Sequence, residues 1–435
     1  MADLSIEFAG VKAPNPFWVS SGPPSNTLYQ CNKAFEAGWG GFVWKTLSDP
    51  LLNVTNRYGS IDYGRTRAIG INNIELVSDR PLEVNLQEIA EAKRRWPDRA
   101  LFVSAMVPSR REAWHEIVEA IQETGADGIE LNFGCPHGMP ERGMGAAVGQ
   151  VPEYCEMITA WAKEVARVPL MVKLTPNVTS IVEPARAAVK GGASALSMIN
   201  TVYSIMGVDL DTLEVQPSVR GKGTPGGYAG PAVKPIGLYM VSKVARERLG
   251  VPISGIGGIE SWRDAAEYIL LGATSVQVCS GIMKYGFQIV KGMIAGLARW
   301  MDEKGFARIS DFSGLAARRV TSFSELDIMY RTVAEIDYSK CIYCRRCYNA
   351  CEDGLHQAIE LVQRDGRAEP RIKEEECVGC RMCALICPAH CIRMVERDRG
   401  FPSQSWSEIV AANPGIDSDW ELMRRWRKEH NWRTK

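Results

Sequence analysis

The chain has 435 residues, enough for one large domain and a smaller companion, and its 51 Lys+Arg balance 51 Asp+Glu to a net charge of zero. That balance argues against a nucleic-acid or anionic-membrane partner held by bulk electrostatics, and no apolar run is long enough to span a bilayer. The start MADLSIEFAG has no basic segment followed by an apolar core, so no secretory leader is expected, and the thirteen Cys are read as cofactor or catalytic chemistry in a cytoplasmic chain.

In chain order, eight short apolar segments read as strands. They are 17–22 (FWVSSG), 41–46 (GFVWKT), 101–106 (LFVSAM), 128–134 (GIELNFG), 170–176 (LMVKLTP), 195–201 (ALSMINT), 252–258 (PISGIGG) and 275–281 (SVQVCSG). Helical patterns such as 114–124, 151–166 and 183–190 lie between them. Eight strands alternating with helices predict an α/β fold, a (β/α)8 TIM barrel over residues 1–307, in preference to an open doubly wound sheet.

Polar residues gather where these strands end: Ser20 and Ser21, Lys45 and Thr46, Asn132 and Cys135, Lys173, Asn200 and Thr201, Gly257 and Gly258, Cys279 and Ser280. In a barrel those ends share one face, where active sites are built. Lys45 and Lys173 would be costly to bury there without an anionic or electron-rich partner. Gly257-Gly258 after the seventh strand and Cys279-Ser280 after the eighth fit the fold's usual phosphate site, which points to flavin mononucleotide with a Lys near its ring. The connections 47–98 and 202–234 are long; the first carries Asn72-Asn73-Ile74-Glu75 on an expected loop over the mouth.

Residues 128–145, GIELNFGCPHGMPERGMG, put a thiol where a strand gives way to a Gly/Met-rich segment. Pro136 stops the ladder, and a Cys at such an edge is a candidate acid/base or nucleophile, although free Cys is more often buried and inert. His137 could tune that thiol or lie on the surface.

Further along, CIYCRRCYNAC and CVGCRMCALIC repeat the spacing CxxCxxCxxxC. The fourth Cys of each run ligates the other run's cluster in two-cluster ferredoxins. One 4Fe–4S cluster is therefore assigned to Cys341, Cys344, Cys347 and Cys387, and the other to Cys377, Cys380, Cys383 and Cys351. Zinc sites use two CxxC pairs, often with His, and fit this doubling poorly. Residues 308–336 read as a connector, 337–396 as the small ferredoxin-like domain, and 397–435 as a tail with Trp406, Trp420, Trp426 and Trp432 among Arg and Lys.

With NPFWVSSGPP, NNIELVS, LNFGCPHGMPERGMG, VKLTPNV, INTV, GYAGPAVKPI, GIGGIE, QVCSGI and the doubled cysteine motif, the chain resembles the dihydropyrimidine dehydrogenases from about Leu4 to Val395. The resemblance implies reduction of the carbon 5–carbon 6 double bond of uracil or thymine. It implies FMN contacts from Ser20, Ser21, Lys45, Thr46, Lys173, Gly230, Ile256, Gly257, Gly258, Cys279 and Ser280. Asn73, Asn132, Asn200 and Thr201 would hold the pyrimidine, with Glu75 close by and Cys135 as general acid. Gly134 departs from the Ser usual there, which leaves another cyclic amide or enone as an alternative substrate. No dinucleotide fingerprint is present, so NAD(P)H and FAD are expected on a partner subunit, in a homodimer or heterotetramer. A plain electron-transfer protein, the rival reading, would need neither Cys135 nor the Asn set.

Overall fold

The computed structural model describes residues 2–49, 53–136, 143–364, 366–398, 402–414 and 419–429. Strands buried on both faces need apolar residues throughout, and such strands form the barrel of the first unit, Met1–Val320. Eight parallel strands close into a barrel: β1 (Phe17–Val19), β2 (Gly41–Leu47), β3 (Ala100–Ala105), β4 (Gly128–Asn132), β5 (Leu170–Lys173), β6 (Ala195–Met198), β7 (Ile253–Ile256) and β8 (Ser275–Val278). Every residue of β2 is buried. Closure comes from pairing of β8 with β1, in the register Gln277↔Trp18.

The helices following the strands are α1 (Leu28–Ala37), α2 (Leu82–Arg95), α3 (Arg111–Gln122), α4 (Pro152–Val165), α5 (Val182–Lys190), α6 (Lys234–Arg246), α7 (Trp262–Leu270) and α8 (Ile289–Lys304). Each presents small or branched apolar residues to the sheet, as Ala185 and Ala188 of α5 do. Helix α7 starts with a reciprocal cap: Ser261 accepts from the Asp264 amide, and the Asp264 carboxylate accepts from the Ser261 amide. Rings of Phe8, Trp18 and Phe102 pack within the core, with centroids 5.1 Å apart for Phe8–Trp18 and 5.3 Å for Trp18–Phe102.

The two long connections are not plain loops. Tyr58–Tyr63 and Thr66–Asn73 form a hairpin in the first, and Val202–Ser204 and Gly226–Ala229 pair in the second. Pairing of Gly227 with Asn73 joins them into one four-stranded antiparallel sheet. Asn72 and Asn73 thus end a strand, not the loop expected, because their backbones find ladder partners in a segment remote in sequence.

The second unit spans Thr321–Lys435. Here β9 (Thr332–Ile336) pairs antiparallel with β12 (Ile392–Glu396), and β10 (Ile359–Arg364) with β11 (Arg367–Ile372); the helices are α9 (Arg346–Gly354) and α10 (Met382–Leu385), followed in the tail by α11 (Trp406–Ala411) and α12 (Asp419–Glu429). Strand β9 falls within the expected connector, yet its partner is the last strand of the cysteine module. About half of the module's buried core is sulfur: Cys347, Cys351, Cys383, Cys387 and Cys391 among Ala334, Ile336, Ala358, Ile359 and Ile392. Such a core is thin, and small domains of this size usually need a metal or cross-links. In the tail, Ile409, Leu422 and Trp426 pack on Met329, with Trp406 and Ile328 alongside. Trp420 is exposed, and Trp432 lies outside the described residues. Among the described residues no helix is long and apolar enough to cross a membrane.

Candidate active site

Seven of the eight strand ends, all but that of β3, open into one cavity. It is lined by Ser20, Ser21, Lys45, Thr46, Asn73, Glu75, Asn132, Cys135, Lys173, Asn200, Thr201, Gly230, Ile256, Gly257, Gly258, Cys279 and Ser280, the residues that the sequence singles out in the barrel. Tyr58, Tyr228 and Gln277 line it as well.

Two buried cations meet carboxylates here. Lys45, 4% exposed, is ion-paired with Glu75, which also accepts from the Tyr58 hydroxyl at 2.5 Å and lies 3.8 Å from Arg57. Burial, and then the hydrogen bond to Glu75, pushes the Tyr58 phenol above its ordinary range. Lys173 donates to Ser21 at 2.9 Å and stands 3.5 Å from Glu130, a fully buried residue of β4. Ser21 and Ser197 both donate to that carboxylate, at 2.7 and 3.1 Å. The charges left over at the sequence level are thus neutralised inside the chain. Glu130 and Tyr58 are additions to the expected set. Glu130 had a signal, a lone acid between Ile129 and Leu131 in a barrel strand; Tyr58 had none, because its segment read as loop.

The amides form a chain. Asn200 donates to Asn132 at 3.0 Å, Asn132 to Thr46 at 3.0 Å, and Thr46 shares a 3.0 Å contact with Ser104. Asn73 donates to the Gly227 carbonyl at 3.2 Å. Thr201 lies beside Asn200, whose side-chain oxygen accepts from the Thr201 amide at 2.8 Å. Space for this arrangement comes from Gly134: a Cβ there would fall 2.5 Å from the Cβ of Asn200.

Cys135 lies at the rim, half-buried, packed on Val77, Met106 and Met144. Its carbonyl accepts from the Ala146 amide at 3.0 Å, and the next carbonyl, of Pro136, accepts from the Tyr203 hydroxyl at 3.1 Å. The phenol of Tyr203 is raised by burial and by the nearby Cys135. His137 and the Gly/Met-rich residues up to 142 lie outside the described residues. By contrast, Cys279 sits deeper, and burial pushes its thiol up to about 11, with Lys173 pulling the other way. At neutral pH it remains a thiol.

The cavity fits a flavin mononucleotide. Gly230 (φ 97°) and Gly258 (φ 69°) approach so closely that a Cβ on Gly258 would sit 2.8 Å from the Gly230 carbonyl. Only glycine leaves that backbone open to an anion. On the floor, the buried side-chain oxygen of Gln277 has no hydrogen-bond partner.

Two further cavities lie in the second unit. One is lined by Cys341, Cys344, Cys347, Cys387 and Cys391, the other by Cys351, Cys377, Cys380 and Cys383. The fourth Cys of each run therefore sits with the first three of the other, a donor set of soft sulfurs suited to iron–sulfur clusters.

Comparison with known proteins agrees with both units. The dihydroorotate dehydrogenase family model matches residues 3–301, and the 4Fe-4S dicluster domain matches residues 334–394. The NAD-dependent dihydropyrimidine dehydrogenase subunit PreA of Escherichia coli K12 is 42% identical over 397 residues, covering 91% of this chain and 96% of that protein. The chloroplastic dihydropyrimidine dehydrogenase (NADP(+)) of Arabidopsis thaliana is 43% identical over 74% of this chain and 79% of its own. The dihydroorotate dehydrogenase B (NAD(+)) catalytic subunit of Thermoplasma volcanium is 34% identical over 73% of this chain and all of its own. Among solved structures, dihydroorotate dehydrogenase from Eimeria tenella superposes with a TM-score of 0.61 at 21% identity, covering 73% of this chain and 89% of that one, a likeness of fold.

Proposed function

The chain belongs to the dihydropyrimidine dehydrogenase family, and on that premise we propose that it reduces the 5,6 double bond of uracil or thymine at the barrel mouth. One observation carries the reading: a strand-end thiol, a linked set of amides and a glycine cradle share one cavity.

Gly230, Gly257, Gly258 and Ser280 would hold the phosphate of FMN, with Lys45 and Lys173 toward its ring, and the bound flavin would supply the hydride for carbon 6. The chain's own residues do the rest. Asn132 and Asn200 exchange their mutual hydrogen bond for the carbonyl and N–H edges of the pyrimidine, because each amide both donates and accepts. Asn73 and Thr201 complete that grip, with Glu75 behind them holding Lys45. Cys135 gives its thiol proton to carbon 5, so that one hydride and one proton together saturate the double bond. Val77, Met106 and Met144 pack against one side of the half-buried Cys135.

In the cysteine module, Cys341, Cys344, Cys347 and Cys387 would hold one 4Fe–4S cluster and Cys377, Cys380, Cys383 and Cys351 the other; bound clusters carry single electrons. Among the described residues no parallel ladder lies outside the barrel, so NAD(P)H and FAD are assigned to a partner subunit, within a cytoplasmic homodimer or heterotetramer. The test is anaerobic turnover of the purified chain with a reduced viologen as donor. Uracil or thymine should yield the dihydropyrimidine, while NADH alone yields none. Turnover of another cyclic amide or enone with neither pyrimidine consumed would overturn the substrate, and rapid NADH oxidation by the chain alone would overturn the need for a partner.

A further inference from the structure

The two cysteine cavities are not equivalent. One holds four thiols; the other holds five, the fifth being Cys391, which belongs to neither repeat. Its sulfur lies 3.4 Å from that of Cys387, and both residues are buried. The backbone fixes this pairing. A turn closes from the His390 amide to the Cys387 carbonyl at 3.2 Å, with His390 at φ 48°. The Cys391 carbonyl then accepts from the Asp337 amide at 2.8 Å, and β12 begins in register with β9 at Ile392↔Ile336. In the other cavity the residue four positions after Cys351 is Leu355.

A 3.4 Å separation is far beyond a disulfide bond. Metal–thiolate bonds, however, run about 2.3 Å, so a single iron position satisfies either sulfur. We propose that Cys391 is a reserve ligand, completing the cluster held by Cys341, Cys344 and Cys347 whenever Cys387 is lost or released. This rests on the assignment of a cluster to that cavity. In the exchange the iron–sulfur bond to Cys387 breaks and its sulfur takes a proton from solvent. The bond to Cys391 forms as that thiol gives up its proton, and no electron moves.

The experiment measures iron and acid-labile sulfide per chain, with electron paramagnetic resonance of the reduced protein, on the full chain purified without oxygen. Cys387→Ala and Cys391→Ala should each keep about eight irons, as two 4Fe–4S clusters require, with an altered resonance only in Cys387→Ala. The double variant should lose half the iron, as should Cys351→Ala, which has no spare. Adding Leu355→Cys to Cys351→Ala should restore iron; this decides the matter should Cys387→Ala fail to fold, since no restoration would then overturn the proposal. Iron loss in Cys387→Ala as large as in the double variant, or loss in Cys391→Ala alone, would also overturn it. Full iron in the double variant would instead remove the cluster assignment beneath it.

Discussion

The barrel mouth and the cysteine module solve the burial of polar groups in opposite ways. At the mouth, Lys45 has Glu75, Lys173 has Glu130, and the amides bond one another. In the module the buried sulfurs line two cavities among Ala and Ile side chains. The polar groups of the mouth are thus partnered within the chain, whereas the sulfurs of the module call for a metal to complete their coordination. Preorganisation of this kind serves chemistry; a core that waits for metal couples folding to loading.

The largest effect that would sharpen this contrast is removal of iron by an anaerobic chelator. The module should lose protected structure while the barrel keeps its own, read by hydrogen exchange in the two segments; equal protection of the module with and without iron would erase the difference. Next comes Cys135→Ala, which should lower pyrimidine turnover by roughly 10²–10⁴-fold, as expected for a lost general acid. Flavin and iron content should be unchanged, and turnover within a few-fold of the parent would mark the thiol as structural. Glu130→Ala strands the buried Lys173 ammonium, so the barrel should lose about 3–5 kcal/mol in urea unfolding. The smallest effect is expected at Asp264→Asn, about 1 kcal/mol at pH 7, from the weakened α7 cap. Burial raises the Asp264 carboxyl, but Lys234 and Ser261 outweigh it and hold it below the usual range. A carboxyl lowered on folding contributes stability above its unfolded value and loses it as pH falls through the folded one. The gap between parent and variant should accordingly close in acid, and a gap independent of pH would refute the assignment.

The barrel was legible because parallel strands buried on both faces read as apolar runs, with the polar residues of Lys45-Thr46 or Asn200-Thr201 marking their ends. The cluster grouping was legible because the cysteine spacing itself encodes it. Other features had no local signal. Asn73 bonds to Gly227 across 154 residues of sequence, and nothing near either residue announces that ladder. The packing of Ile409 and Trp426 on Met329 was likewise invisible, since Trp at helical spacing does not say what it faces. Cys391 escaped notice for a simpler reason: it stands outside the repeat, and only the turn at His390 shows where its sulfur goes.

The sheet over the mouth also acts as a ruler between its two parent connections. Asn73 pairs with both Tyr58 and Gly227, so its side chain keeps its face only while both registers hold. Strand faces alternate with every residue, and a slip of one would turn Asn73 away from the cavity. Changes of length between Ser204 and Gly226, or toward the Gly64 turn, where the register already shifts between Ile61 and Tyr63, can be absorbed; a single residue inserted in the regular stretch next to Asn73 would displace its register. Within these strands, then, the spacing of residues is constrained as well as their identity, which close contacts already fix at Gly70, Gly226 and Gly227.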